Sequence, residues 1–207
     1  MNRYFITGIG TGVGKTLVSA ILTEALQADY WKPVQCGISD GTDTQLVKEL
    51  VSNAKTNFHS ESYCFNEPVS PHLAASLVNE KIRLEKMILP DITNRLIIEG
   101  AGGLMVPLND SNFVIDLAKE FEAEVILVVR NYLGCINHTL LSIDYLARYD
   151  FEIKGLVLNG NFDPLVKSAI INYAEIPIIG EIPEVSEITK ETVQHLSHKI
   201  NLDLFQD

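Results

Sequence analysis

Thr7-Gly8-Ile9-Gly10-Thr11-Gly12-Val13-Gly14-Lys15-Thr16 brings together the residue types that hold a polyphosphate. Closely spaced glycines let backbone N–H groups approach an anion. Lys15 supplies a positive charge for the terminal phosphates, and the Thr16 hydroxyl supplies an oxygen for Mg²⁺. The flanking elements put this chemistry in place. Tyr4-Phe5-Ile6 is an apolar run of the kind that forms a buried strand, and Leu17, Val18, Ile21, Leu22, Ala25 and Leu26 recur at helical spacing. The positive end of that helix faces the glycines. The loop is longer than the general pattern, with five residues rather than four between Gly8 and Gly14. A glycine-rich turn that binds nothing is the bland alternative; Gly-Lys-Thr at a helix start argues against it.

Three further segments carry candidate chemistry. Leu96-Ile97-Ile98-Glu99-Gly100-Ala101-Gly102-Gly103 is an apolar strand ending in a carboxylate, followed by glycines that permit close backbone approach. In an open α/β sheet that edge is where ligands bind, so Glu99 is a candidate Mg²⁺ ligand beside Thr16. Lys32, in Trp31-Lys32-Pro33-Val34-Gln35-Cys36-Gly37, lies inside an apolar run. Its ammonium must be paired or face a cleft, unless the strand is an edge and the lysine points to solvent. Asp43 precedes a helix, where it serves either as an N-cap or as a further oxygen ligand for Mg²⁺.

Two weaker elements lie further along. Tyr132-Leu133-Gly134-Cys135-Ile136-Asn137-His138 opens a helix whose free N–H groups suit a carboxylate, although every helix has such a start. Leu158-Asn159-Gly160-Asn161 follows a strand on the same sheet edge; Asn159 has the amide to pair with a nucleobase, while turn chemistry also accounts for Asn-Gly.

The elements needed to position these residues recur along all 207 residues. Strands are expected at Arg3–Thr7, Trp31–Gln35, Leu96–Glu99, Val125–Val129, Lys154–Leu158 and Pro177–Gly180. Helices are expected near Lys15–Ala28, Thr44–Asn53, His72–Asn79, Asn112–Phe121, Ile136–Tyr149, Leu165–Tyr173 and Ser186–Ile200. Continuously apolar strands alternating with helices predict an α/β fold: a doubly wound, mostly parallel sheet with helices on both faces, in one domain spanning 1–207. The region from Asn53 to Asp91 is the least regular; its Glu67-Pro68-Val69-Ser70-Pro71-His72 turn is either an active-site insertion or a surface excursion.

Composition narrows the function. With 27 acidic against 16 basic residues and no Lys/Arg run, the surface repels nucleic-acid phosphates. No apolar stretch approaches the ~20 residues that span a bilayer, and no signal-peptide pattern opens the chain. Three scattered cysteines, Cys36, Cys64 and Cys135, fit a reduced cytoplasm without structural zinc.

Taken in order, these blocks resemble one family, the dethiobiotin synthetases of biotin biosynthesis. The resemblance rests on Tyr4–Gly8 with Thr11, Val13, Gly14, Lys15 and Thr16; Lys32-Pro33-Val34; Glu67-Pro68 with Ser70-Pro71-His72; Glu99–Gly103; Leu133–His138; and Gly180–Pro183. The longer phosphate loop is that family's own form. The resemblance implies a homodimeric ligase that converts 7,8-diaminononanoate, CO₂ and Mg-ATP into dethiobiotin, ADP and phosphate. It implies that Lys15 and Lys32, with Thr11, flank the reacting carbamate and phosphoryl group, and that Thr16, Asp43 and Glu99 hold Mg²⁺. Thr11, Gly12, Val13, Gly14, Lys15, Thr16 and Leu17 would wrap the phosphates, with Gly100, Ala101 and Gly102 beside the nucleotide. Asn159, Gly160, Ile182, Pro183 and Glu184 match where the base is held. Cys36, Ser70 and Pro71 fall on the substrate side, and Gly134, Cys135, Ile136 and Asn137 would take the substrate carboxylate across the dimer interface.

Two departures from the family pattern are Cys36 in place of a frequent serine and Gly12 in place of a frequent acidic residue. Two other readings share the phosphate loop. An amidase of the cobyrinic acid type usually adds a glutaminase domain, for which 207 residues leave no room. A dimeric ATP switch of the septum-positioning or partition type carries a signature lysine where this chain has Gly10, and its membrane version ends in a basic helix where Asn201–Asp207 is acidic.

Overall fold

The N-terminal apolar run forms β1 (Arg3–Gly8), whose carboxyl end delivers the glycine loop to α1 (Lys15–Leu26). The computed structural model describes residues 2–206; Met1 and Asp207, the ends of the expected domain, lie outside the described residues. The chain continues through β2 (Asp29–Trp31), β3 (Val34–Cys36), α2 (Asp43–Leu50), β4 (Phe58–His59), β5 (Tyr63–Phe65), α3 (Pro71–Leu77) and β6 (Leu96–Glu99). It then alternates regularly: α4 (Asp116–Glu120), β7 (Glu124–Arg130), α5 (Cys135–Arg148), β8 (Ile153–Asn159), α6 (Pro164–Ala174), β9 (Ile178–Ile182) and α7 (Lys190–Ser197).

Seven strands form one sheet in the order β4-β2-β6-β1-β7-β8-β9, and every pair in it is parallel. The period of two along each strand sorts the core into two layers. Tyr4, Ile6, Ile97, Ile126 and Val128 turn to one face and pack with residues of α1, α2 and α7. Phe5, Leu96, Ile98, Val125, Leu127 and Val129 turn to the other and pack with α3, α4, α5 and α6. This is the doubly wound arrangement expected from the sequence. It sets the carboxyl ends of β1, β2 and β6 side by side, with β1 directly between β6 and β7.

The expected strand Trp31–Gln35 is two strands. β2 joins the main sheet, whereas β3 pairs only with β5 in a separate two-stranded parallel sheet. The break falls at Lys32-Pro33, where proline has no N–H to give a ladder. β4 and β5, both within the irregular 53–91 region, were not expected; they are two and three residues long, too short to show a period.

Helix ends shift for local reasons. The window Asn112–Phe121 contributes only Asp116–Glu120, because the Asp116 carboxylate accepts from Phe113 N–H and Phe113 bridges back to Pro107. The window Ser186–Ile200 begins at Lys190, where Thr189 caps the helix by accepting from Thr192 N–H. α2 starts at Asp43 because Thr42 is its N-cap, in a capping box with Gln45.

Thr42 therefore fixes the first turn of α2, and Thr42→Ala should lower the free energy of unfolding by about 1 kcal/mol. Urea denaturation followed by far-UV circular dichroism checks this; an unchanged midpoint would leave Thr42 without a capping role.

Candidate active site

Gly14 holds the turn from the glycine loop into α1 in a left-handed conformation, at φ 90°. A side chain there would be strained, and its Cβ would collide with the Asn159 carboxamide. Asn159 is buried at the end of β8 and donates from Nδ2 to Val13 O at 2.8 Å. The loop is thus fastened from beneath by a residue expected on other grounds to meet the base. Lys15 folds back over the loop, its Nζ 3.4 Å from Gly10 O. Burial pulls its ammonium down to about 8; Glu99 and Asp43 oppose that pull and Lys32 adds to it.

At the carboxyl edge of the sheet, four side chains from four segments converge. The Lys32 ammonium lies 2.6 Å from Asp43 Oδ2 and 3.0 Å from Glu99 Oε1. Thr16 Oγ1 is 2.9 Å from Glu99 Oε1 and 3.2 Å from Asp43 Oδ1. Lys32 is 4% and Glu99 1% exposed. Burial works to lower the Lys32 pKa, but the carboxylates of Glu99 and Asp43 outweigh it and raise the value above the ordinary one, so the lysine is charged. Lys32 is therefore not an edge-strand lysine pointing to solvent. Asp43 is not the helix cap either: Thr42 has that role, and the carboxylate is turned to Lys32 and Thr16.

Two buried polar groups support this cluster from behind, one on the Glu99 carboxylate and one on the Asp43 backbone. The Tyr30 hydroxyl donates to Glu99 Oε2 at 2.9 Å, and burial first, then Glu99 and Asp43, push its pKa well above the usual phenol value. Gln35 Oε1 accepts from Asp43 N–H at 3.1 Å, while its Nε2 donates to the carbonyls of Cys36 and Gly37. Neither residue was singled out from the sequence. Gln35 carries the signal that Lys32 did, a polar residue in an apolar run; Tyr30 carries none, since tyrosine is ordinary in a strand.

The donors fit a magnesium ion. Thr16 has one hydroxyl proton for two carboxylate oxygens, so one of its short O···O contacts has no proton in it. Two carboxylates and a hydroxyl form a hard, oxygen-only set that leaves room for phosphate oxygens and water. Among the described residues no group of three or more His, Cys, Asp or Glu could hold a metal.

A cleft of about 630 Å³ opens over this cluster. Thr11, Gly12, Gly14, Lys15 and Thr16 form its floor with Lys32, Asp43 and Glu99; Ala101, Gly102 and Val106 form one side. Gln35, Cys36 and Pro68–Pro71 form the opposite wall, so the irregular turn is part of the site and not a surface excursion. Gly37 joins this wall at φ +79°, where a Cβ would lie 2.9 Å from Pro68 Cβ.

Other expected residues stand apart from the cleft. Val13 and Ile182 are buried in the core and Leu17 packs at its margin. Gly100 follows β6, where Phe5 and Val114 crowd it. Gly160, Ile182, Pro183 and Glu184 gather at the ends of β8 and β9: Gly160 N–H donates to Ile182 O at 2.7 Å, and Glu184 pairs with Arg130 at 2.7 Å. Gly134, Cys135, Ile136 and Asn137 start α5 outside this cleft, next to an apolar groove of about 250 Å³ lined by Leu104, Met105, His138, Leu141 and Tyr145.

The AAA domain family model matches residues 2–192. The chain is 46% identical over 201 residues to the ATP-dependent dethiobiotin synthetase BioD of Cytophaga hutchinsonii, covering 97% of each chain. It is 44% identical to the protein of the same name from Christiangramia forsetii, covering 95% of this chain and 94% of that one. The chain belongs to the dethiobiotin synthetase family. Solved structures similar to it include a ParA family ATPase from Chlorobium tepidum, at a TM-score of 0.58 and 14% identity, covering 98% of this chain and 92% of that one. The MinD cell division protein of Aquifex aeolicus is similar at 0.57 and 15%, covering 94% and 86%. At such identities the likeness shows the fold, a phosphate-loop α/β sheet, and leaves the synthetase family as the basis for function.

Within that synthetase cleft, burial first raises the Cys36 thiol to about 11, with Lys32 opposing. Since the thiolate is the nucleophile, alkylation by iodoacetamide should be slow at pH 7.5 and should accelerate roughly tenfold per pH unit up to about pH 10. Peptide mass spectrometry, with Cys64 as the exposed internal comparison, measures this; fast modification of Cys36 at neutral pH would contradict its burial.

Proposed function

We propose that this chain catalyses the ATP- and Mg²⁺-dependent closure of 7,8-diaminononanoate and CO₂ to dethiobiotin, acting as one ATP-binding domain. The observation that carries the reading is the Lys32 ammonium seated between Asp43 and Glu99 in a cleft shared by the phosphate loop and the Cys36–Pro71 wall. An amine of the substrate adds to CO₂ and loses a proton, giving a carbamate. A carbamate oxygen attacks the γ-phosphorus, the bond to the bridging oxygen of ADP breaks, and a carbamic-phosphoric anhydride results. The second amine attacks its carbonyl carbon, phosphate leaves, and the cyclic urea is closed.

No bond to the protein forms in this sequence, so the chain contributes position and charge. Lys15, Lys32 and Thr11 line the cleft in which the phosphoryl group would be transferred, and the two ammonium groups would stabilise its charge. Thr16, Asp43 and Glu99 would hold Mg²⁺, which when bound neutralises charge on the phosphates. Cys36, Ser70 and Pro71 line the side left for the diamine. Gly160, Ile182, Pro183 and Glu184, at the ends of β8 and β9, would hold the base, with Asn159 acting from beneath the loop through Val13. A homodimer is the assembly that brings the α5 start to a diamine site. The exposed Met105, Leu133 and Leu141 around the groove beside it support that reading.

Incubation with 7,8-diaminononanoate, bicarbonate and Mg-ATP should yield dethiobiotin with equimolar ADP and phosphate, resolved by mass spectrometry. Phosphate release that ignores the diamine and responds only to a protein partner would overturn the assignment in favour of a switch. Lys32→Ala should cost ~3–4 kcal/mol of transition-state stabilisation, a loss in kcat of roughly 10²–10³-fold, in a folded protein. Leu141→Glu should give a monomer in sedimentation velocity that still binds nucleotide but does not turn over the diamine; a monomeric wild type with full activity would remove the dimer from the mechanism.

A further inference from the structure

Glu99 is gripped on both oxygens, and the two grips differ. Oε1 faces the cleft, where Thr16 and Lys32 meet it at 2.9 and 3.0 Å. Oε2 points back into the protein, and among the described residues its hydrogen-bond donor is the Tyr30 hydroxyl at 2.9 Å. Tyr30 is wholly buried in the layer shared with α1 and α2, its ring 6.2 Å from that of Phe58, and it does not line the cleft. Its place is fixed by backbone register: β2 sets Tyr30 opposite Ile97, two residues before Glu99 on the neighbouring strand. A carboxylate free on both oxygens can bind a cation through either or both, and can rotate between them. One whose rear oxygen is tied to a fixed neutral donor presents a single oxygen in a single direction.

We propose that Tyr30 is a positioning residue: by holding Oε2 it commits Glu99 to offer only Oε1 to the cation and to Lys32. The inference rests on the metal site assigned under Proposed function. Tyr30 touches neither nucleotide nor diamine and acts through Glu99 alone.

The test uses Mn²⁺ binding in the presence of ADP, followed by the electron paramagnetic resonance of free Mn²⁺, with no turnover involved. Tyr30→Phe keeps the ring and removes the donor; it should raise the Kd for Mn²⁺ about tenfold, as loss of an outer-shell partner does. Binding of a fluorescent ADP analogue in EDTA should not change. Glu99→Gln, in the same assay, should weaken Mn²⁺ at least as much. Phe58→Leu, which loosens the ring's neighbour but leaves the hydroxyl, should leave Mn²⁺ affinity at the wild-type value. Wild-type affinity in Tyr30→Phe with weakened binding in Glu99→Gln overturns the role of Tyr30 alone. Wild-type affinity in both overturns the metal assignment and this proposal with it. An equal loss in Phe58→Leu, or a matching loss of ADP binding in EDTA, overturns it by showing general damage to the core.

Discussion

An ammonium that is 4% exposed needs partners inside the protein, and Lys32 has two. Taking such a charge out of water costs several kcal/mol, recovered only through close, well-aligned carboxylates. That constraint organises the neighbourhood. Glu99 must end its strand at the same sheet edge, Asp43 must open α2 beside it, and the chain must leave β2 just before Lys32 at that edge. Each partner is then held in its own right, Glu99 by Tyr30 and Asp43 by Gln35. Removal of one carboxylate would leave Lys32 with a single partner.

The phosphate loop depends on the sheet in a second way. Its path is set by Gly14, which turns left-handed and passes against Asn159, and Asn159 reaches it from β8, two strands away from the strand that delivers the loop. Lys15 and Lys32 stand close enough that each disfavours the other's charge, an effect resolved for Lys15. A triphosphate between them would offset that repulsion.

The fold and the phosphate loop were legible because they rest on local patterns: continuous apolar strands, helical repeats, and Gly-Lys-Thr at a helix start. Lys32, Glu99 and Asp43 were legible as types out of place, a charge in an apolar run or a carboxylate at a strand end. What sequence could not give was direction. Whether Asp43 capped a helix or faced a cleft depended on Thr42 taking the cap. The split of Trp31–Gln35 had one local sign, Pro33, which cannot donate to a ladder, while the pairing of β3 with β5 joins residues distant in sequence. Tyr30 was hidden for the opposite reason: its ring belongs to the core, and only the last atom of the side chain takes part in the site.

β3 and β5 hydrogen-bond to each other and to no strand of the main sheet. The chain therefore carries two sheets that meet at the cleft, with Lys32-Pro33 as the joint. Val34, Tyr63 and Phe65 of the smaller sheet still pack in one core with Phe5 and Ile98, so the two sheets share packing but no ladder hydrogen bond. A change in β3 or β5 therefore reaches the seven-stranded sheet through side-chain packing and through the grip of Gln35 on the Asp43 backbone, not through strand register.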